Sequence, residues 1–542
     1  MLYSIIVSII ISIFNGLTSA AKVSAKNSIV FGPGLRTGFV VPVRYFYIQA
    51  VENNGKNFTK SPGLVFQVDF KSKISSNLAI GREVIDRKDG TFLVRYRMHL
   101  SYDNIVIYVT HNGDNVGNSP FHLSGKVYNE NCFCPEVEKR WVKNMACPVN
   151  YQQIEKDLKP FPNINLENLI ESATKSYNVA FCHYTIKKNK VYRKCYGTIN
   201  DFKMFTDAWL LSVARKVKLP DVEFFTNLGD WPLTTKRFNP MPIFSWCGSN
   251  DTFDLVWPTY DLTESTLETF GGRVSLDMTS IQGNTGPSWN HKKPVAFFRG
   301  RDSRQERLDL VNRFRKNANF DVGITHYFFF KHDEEKYGPI ANRVSFYDFF
   351  KYKYQLNIDG TVAAYRLPYL LAGDSVVLKQ DSKYYEHFYG DLIPMKHYIP
   401  FNSDLSNLEE KVLWAIQNDE KAQKIALEGQ RYARDNLLSD KLYCYTYLLL
   451  KEYAKRQSTP PTVRNGMEEV IQPKENCSCE RRNSKKKAGN EKVASLYCAC
   501  HFLTLYYSLP LQISYFPLYG ILLLYLGCYI YDKCCYMIWF FQ

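Results

Sequence analysis

Two stretches concentrate side chains able to grip a charged substrate: Phe297-Phe298-Arg299-Gly300-Arg301-Asp302-Ser303-Arg304 and Asn357-Ile358-Asp359-Gly360-Thr361-Val362-Ala363-Ala364-Tyr365-Arg366. Each reads as a strand that runs into a turn and then a helix, with arginines where the helix begins. A helix start offers free backbone N–H groups and a partial positive charge, which together hold phosphate. In the second stretch Gly360 permits a tight turn with unusual φ, and the small Ala363 and Ala364 let a ligand come close. Arg366 lies one turn in, where helical side chains lean back toward the N-terminus. Arg301, Arg304 and Arg307 approach from the first stretch. Planar, permanently charged forks suit a diphosphate, such as that of a nucleotide sugar.

Transfer to a hydroxyl also needs a base. Asn227-Leu228-Gly229-Asp230-Trp231-Pro232 follows an apolar strand, so Asp230 stands at a strand's C-terminal end, where the clefts of open α/β sheets lie. A carboxylate there can take a proton from an acceptor hydroxyl. Many nucleotide-sugar transferases hold a divalent ion with Asp-x-Asp to neutralise the leaving group. The chain contains no Asp-x-Asp, and His332-Asp333-Glu334 reads as a solvated loop, so no metal and no cofactor are expected. Arginines and helix starts can neutralise the leaving group instead. The absence of Gly-x-Ser-x-Gly, of a Walker loop and of His-Glu-x-x-His argues against those hydrolase and nucleotide-triphosphatase classes. Aromatic stretches lie between the sites, and Trp231, Trp257 and Tyr260 are the candidates for acceptor contact.

These residues need elements to hold them. From about residue 150 the pattern is α/β. It predicts strands at 222–227, 294–300, 354–359 and 375–380, with helices at 207–217, 305–316, 362–371, 405–418 and 420–436. The 354–380 segment is a βαβ unit of a Rossmann-like sheet. Residues 22–130 read differently: Ile105, Ile107 and Val109 alternate with polar neighbours, and turns such as Asp89-Gly90 separate short runs, as in an immunoglobulin-like sandwich.

At 542 residues the chain is too long for one core. Its net charge of +15 is spread among acids, apart from Arg481-Arg482-Asn483-Ser484-Lys485-Lys486-Lys487, which argues against a nucleic-acid stripe. Residues 1–20 read as a signal peptide. Secretion would permit disulfides among the fourteen cysteines and glycosylation at the sequons of Asn57, Asn250 and Asn476. The spacing of Cys132, Cys134 and Cys147, and of Cys477 and Cys479, favours disulfides over zinc, with the pairing left open. Residues 457–495 form a basic linker. The apolar tail at 496–542 reads either as a membrane anchor, the one route to a membrane partner, or as an ending that departs from the true protein.

The chain resembles the KDEL-motif-containing protein O-glucosyltransferases, relatives of Rumi in glycosyltransferase family 90. The motifs are Asn227 to Pro232, Ile243-Phe244-Ser245-Trp246-Cys247, Pro258-Thr259-Tyr260-Asp261-Leu262-Thr263-Glu264-Ser265, Arg299 to Arg304 and Asp359 to Arg366. Gly32-Pro33-Gly34-Leu35, Asp89-Gly90-Thr91-Phe92 and Asn118-Ser119-Pro120-Phe121 resemble a filamin repeat. The resemblance implies a multidomain protein. A filamin-like β-sandwich at 22–130 precedes a GT-B transferase of two Rossmann-like domains. Its acceptor side spans 131–285, completed by a helix at about 430–456, and its donor side spans 286–430. It implies metal-independent, inverting transfer of glucose, or xylose, from a UDP-sugar to a serine of EGF-like repeats in Notch-like proteins of the endoplasmic reticulum lumen. Asp230 matches the catalytic base. Gly300, Arg301, Arg307 and Thr361, Val362, Ala363, Ala364, Tyr365 and Arg366 match donor-binding positions, and Glu386 is a candidate ribose contact. Cys444 is implied to pair with the 132–147 cluster. Relatives end in a retrieval signal that is absent from this C-terminus. A non-catalytic lumenal binding protein and a transferase for glycan acceptors are the alternatives.

Overall fold

The computed structural model describes residues 22–72, 78–236, 240–269, 276–475, 477 and 479, all within one compact unit. The expected signal peptide, the Asn476 sequon, the basic run to Lys487 and the apolar tail lie outside the described residues.

The N-terminal module is a sandwich of eight strands: β1 (Ile29–Phe31), β2 (Arg44–Gln49), β3 (Gln67–Lys71), β4 (Ile80–Asp86), β5 (Thr91–Met98), β6 (Tyr102–His111), β7 (Asp114–Asn115) and β8 (Phe121–Val127). One sheet runs β1-β2-β5-β4; the other pairs β6 with β3, β7 and β8. Phe46, Ile48, Phe92, Val94, Ile105, Ile107 and Val109 fill the space between them. Side chains alternate across a strand, and β2 and β5 are apolar on both faces. Their second face, with Tyr45 and Leu93, joins Phe39, Val41 and Ile85 in the core of the α/β region. Tyr45 Oη donates to Asp440 Oδ1 (2.6 Å), and Arg95 lies 3.1 Å from Asp277 and 3.4 Å from Glu268. The module is therefore packed into the α/β region.

The first α/β sheet contains β9 (Phe181–Lys187), β10 (Lys190–Tyr196), β11 (Val222–Asn227), β12 (Ile243–Ser245) and β14 (Leu255–Val256), with β13 (Gly248–Ser249) lying outside it. Its order is β14-β12-β11-β9-β10, extended by Glu468–Glu469; the β14, β12 and β11 pairings are parallel and the rest antiparallel. The second sheet is wholly parallel, in the order β16-β15-β17-β18-β20, from β15 (Lys293–Arg301), β16 (Phe320–His326), β17 (Tyr352–Asn357), β18 (Val376–Gln380) and β20 (Ile399–Phe401). The chain steps outward from β15 to β16, then back across β15 to β17. Strand order thus reverses between β15 and β17, where ligands of such sheets bind. β19 (Tyr384–Tyr385) pairs with β13 and clips the two halves together. A Cβ on Gly248 would lie 2.6 Å from the Tyr385 ring, so this crossing requires glycine.

Most expected helices form near their predicted bounds, as Lys203–Lys216, Gln305–Phe314, Leu408–Gln417 and Asp419–Asn436. The helix expected at 362–371 does not. It begins only at Leu367 and ends at Ala372, with Pro368 in its first turn. In the middle of a longer helix, Pro368 would clash with the carbonyl four residues back. Residues 361–366 form a loop instead.

Among the described residues four disulfides join Cys132 to Cys477, Cys134 to Cys479, Cys147 to Cys444 and Cys182 to Cys195, so Cys444 does pair within the 132–147 cluster. No helix among the described residues is long and apolar enough to cross a membrane.

Candidate active site

The ends of β15 and β17 lie side by side at the strand-order reversal and bring four arginines together. Arg301 ends β15 and is exposed. Arg304 caps the Gln305–Phe314 helix; its Nη1 is 3.7 Å from Asp359 and its guanidinium lies over the Tyr384 ring. Arg307 is buried and donates to the carbonyls of Asp359 (2.7 Å), Ile358 (3.0 Å) and Arg301 (3.0 Å). It clamps the two loops against each other. Burial, then Arg366, Arg301 and Arg304, lower its pKa to about 9 despite Asp359. Arg366 donates to Arg299 O (2.6 Å) over the Phe298 ring, and burial and Arg301 lower it to about 10. Groups that depress one another in this way form a strongly cationic cradle.

Gly300 and Gly360 are needed for space. A Cβ at Gly300 would lie 2.8 Å from Phe298 and 3.3 Å from Arg307, and one at Gly360 would lie 3.1 Å from Arg307. The unusual φ expected at Gly360 is not present. Next to the arginines opens a cavity of about 420 Å3 lined by Arg304, Asp359, Gln380, Ser382, Tyr384 and Asn250, among others. Gln380 accepts from Asp359 N–H (2.9 Å) and donates to Ser403 O (2.8 Å), which ties the ends of β17, β18 and β20 together.

On the other side, Asp230 sits in the loop after β11, half-buried. Asn227 fixes that loop, accepting from Gly229 N–H (2.9 Å) and donating to Trp231 O (2.7 Å). The buried Asp254 accepts from the N–H groups of Leu233 and Thr234 and from Ser245 Oγ (2.6 Å). Asp230 reaches the second arginine loop electrostatically: burial first, then Cys247, Asp230, Tyr260 and Glu386, push the Tyr365 hydroxyl well above its ordinary pKa.

Between the halves lies a buried polar nest. Val362 and Ala363 pack with the thiol of Cys247 and the ring of Tyr384. Glu386 is fully buried beside the hydroxyls of Tyr389 and Thr259, and the Tyr365 hydroxyl has no hydrogen-bond partner. Burial, reinforced by Asp261, raises the Glu386 pKa well above the carboxylate range; Tyr389, Lys379 and Thr259 offset part of this. A buried carboxyl and an unpaired buried hydroxyl in one nest are groups that a ligand's hydroxyls can meet.

Of the run Thr361, Val362, Ala363, Ala364 and Tyr365, Val362, Ala363 and Tyr365 pack at this junction. They do so as a loop, so no helix start serves a phosphate there. Trp231 is 55% exposed beside Tyr384. Trp257 and Tyr260, expected to meet an acceptor, do not face the site opening. Trp257 is buried against Phe244 and Phe224, and Tyr260 among Phe202, Phe205 and Trp246, so neither offers a face to an acceptor. Although Pro258 stands between them, aromatics from other elements close over both. Asn57 and Asn250 are exposed, Asn250 at the rim of the cavity. Sequence reasoning gave no role to Asn227, Asp254, Asp359, Gln380 or Cys247. Their signal was position: Asn227 and Gln380 each end a strand of their sheet. Among the described residues no group of His, Cys, Asp or Glu is arranged to hold a metal ion.

A cationic cradle at a strand-order reversal, with a carboxylate across from it, is the candidate active site. The chain belongs to glycosyl transferase family 90, whose sequence model matches residues 142–507, and it is a glycosyltransferase. The filamin/ABP280 repeat matches residues 22–122. The chain is 56% identical to protein O-glucosyltransferase 2 of Danio rerio, across 85% of this chain and 94% of the relative. It is 52% identical to protein O-glucosyltransferase 3 of Homo sapiens across 86% and 94%, and 31% identical to human protein O-glucosyltransferase 1 across 60% and 84%.

Proposed function

We propose that the protein moves glucose from UDP-glucose, with UDP-xylose as a second donor, onto a serine of EGF-like repeats in Notch-like proteins. The names of the relatives support glucose transfer to protein, and the four disulfides suit the lumen of the endoplasmic reticulum. The observation that carries the reading is the convergence of Arg301, Arg304, Arg307 and Arg366 at the β15/β17 reversal, with Asp230 within electrostatic reach of Tyr365 on the same loop.

The mixed sheet is the acceptor half of a GT-B architecture and the parallel sheet its donor half. The diphosphate lies on Arg301 and Arg366, with Arg307 holding the two loops. The nucleoside extends toward Asp359 and Gln380, and Glu386 meets ribose or sugar hydroxyls. Asp230 takes the serine proton while that oxygen attacks the anomeric carbon. The bond to the diphosphate breaks with its electron pair leaving on UDP, and the single displacement inverts the centre. Arginines neutralise the leaving group, so no metal is required.

The test incubates the enzyme with UDP-glucose and a folded EGF repeat, with and without EDTA, and weighs the repeat. One added hexose that survives EDTA and is lost in Asp230→Asn, with UDP binding retained, is the expected result. Near-normal turnover by Asp230→Asn would remove it as the base, and loss in EDTA would remove metal independence.

A further inference from the structure

Beside Arg301 the chain builds a surface the donor chemistry does not use. Asp302 is fully buried, and its carboxylate accepts from three consecutive backbone N–H groups: Phe328 (2.9 Å), Phe329 (2.8 Å) and Phe330 (2.7 Å). Three donors offset the burial of the charge. The same bonds hold the loop in one shape, yet its side chains are not folded inward. Phe328 is 63% exposed, Phe329 54% and Phe330 38%, and Ile340 and Val344 are exposed in the same connection.

Apolar side chains facing water on a tied-down backbone mark a binding surface, because the loop itself needs no further ordering before a partner arrives. Their place identifies the partner. The loop starts one residue after His326, which pairs with Arg301, and Thr325 Oγ1 donates to Gly300 O (3.2 Å). The rings therefore stand at the C-terminal edge of the parallel sheet, next to the donor cradle. Phenyl rings offer no hydrogen bond to a diphosphate or to sugar hydroxyls, so an apolar protein face suits them better. Lys331, Asp333, Glu334 and Lys336 are exposed next to them and give the apolar patch a polar rim, as protein interfaces have.

We propose that Phe328, Phe329 and Phe330 dock an apolar face of the folded protein acceptor beside the hydroxyl that receives the sugar. This rests on the protein-acceptor reading above. The test compares the wild-type enzyme with Phe328→Ser/Phe329→Ser, reading acceptor KM on a folded EGF repeat, donor KM, donor hydrolysis without acceptor, and Tm. A rise in acceptor KM of about tenfold or more, with the other three unchanged, is expected. An unchanged acceptor KM, or a rise in donor KM, overturns the proposal. A second measurement places p-benzoylphenylalanine at Phe329: illumination should crosslink the repeat, and its failure to do so counts against docking. A wild-type enzyme that modifies no protein repeat but does modify a glycan sinks the protein-acceptor reading and the docking loop with it. Wild-type transfer to the repeat with an unaffected variant sinks the docking loop alone.

Discussion

Replacing Tyr45 by Phe removes one hydroxyl at the seam between the β-sandwich and the α/β region. Tyr45 and Asp440 are 5% and 4% exposed, and the bond between them is short and charge-assisted at 2.6 Å. Burial and Asp440 push the Tyr45 pKa well up, so the phenol remains the donor. The ring contacts with Phe39 and Tyr47 survive the change. Asp440 keeps Lys441 at 3.2 Å but loses its phenol. A hydrogen bond to a buried charged group contributes about 1.5–3 kcal/mol. Unfolding entropy is about 2 cal/mol/K per residue, so 2 kcal/mol lowers the Tm of a single unit of about 450 residues by about 2 °C. Were the sandwich to melt alone, the same loss over about 100 residues would move its own transition by about 10 °C and leave the rest in place. Because Tyr45, Ile85 and Leu93 sit in the core of the α/β region, the small shared shift is expected. Scanning calorimetry reads it, and a double-mutant cycle with Asp440→Asn should show coupling of about 1 kcal/mol or more. A separate, strongly shifted sandwich transition would refute the shared core. Additive single changes would refute the bond.

Arg307→Lys keeps the charge but loses the fork that holds the Asp359, Ile358 and Arg301 carbonyls; UDP affinity by calorimetry should fall about tenfold or more. Asp157 accepts from Val256 N–H, and burial lifts its pKa from 3.8 to about 7. The folded state then holds the proton more tightly than the unfolded chain, so stability falls as pH rises from about 4 toward about 7. Asp157→Asn should remove that fall, with a Tm gain over wild type that is larger at pH 8 than at pH 5. Cys147→Ser with Cys444→Ser opens the bridge between the first helix of the α/β region and its last long one. A stability loss of about 2–5 kcal/mol in denaturant melts is expected.

By itself the sequence determined what local pattern can encode. Alternation along β6 and the apolar run of β11 fixed strands, and the Gln305–Phe314 helix began where its charge and apolar spacing placed it. The motifs carried Asp230 and the arginine loops. Tertiary structure decided the rest. Pro368 ended a helix that the spacing of 362–371 favoured, which turned a presumed helix start into a loop. Arg307 reads like Arg301 in sequence, yet burial beside Asp359 O made it a clamp, whereas Arg301 stays exposed to solvent. Trp257 and Tyr260 turned inward because aromatics distant in sequence closed over them. Asp302 acquired its role from three N–H groups more than twenty residues away. Spacing encodes which face a side chain takes on its own element, but burial and partners come from elements brought together across the chain, and these set whether a charge binds a ligand or holds the fold.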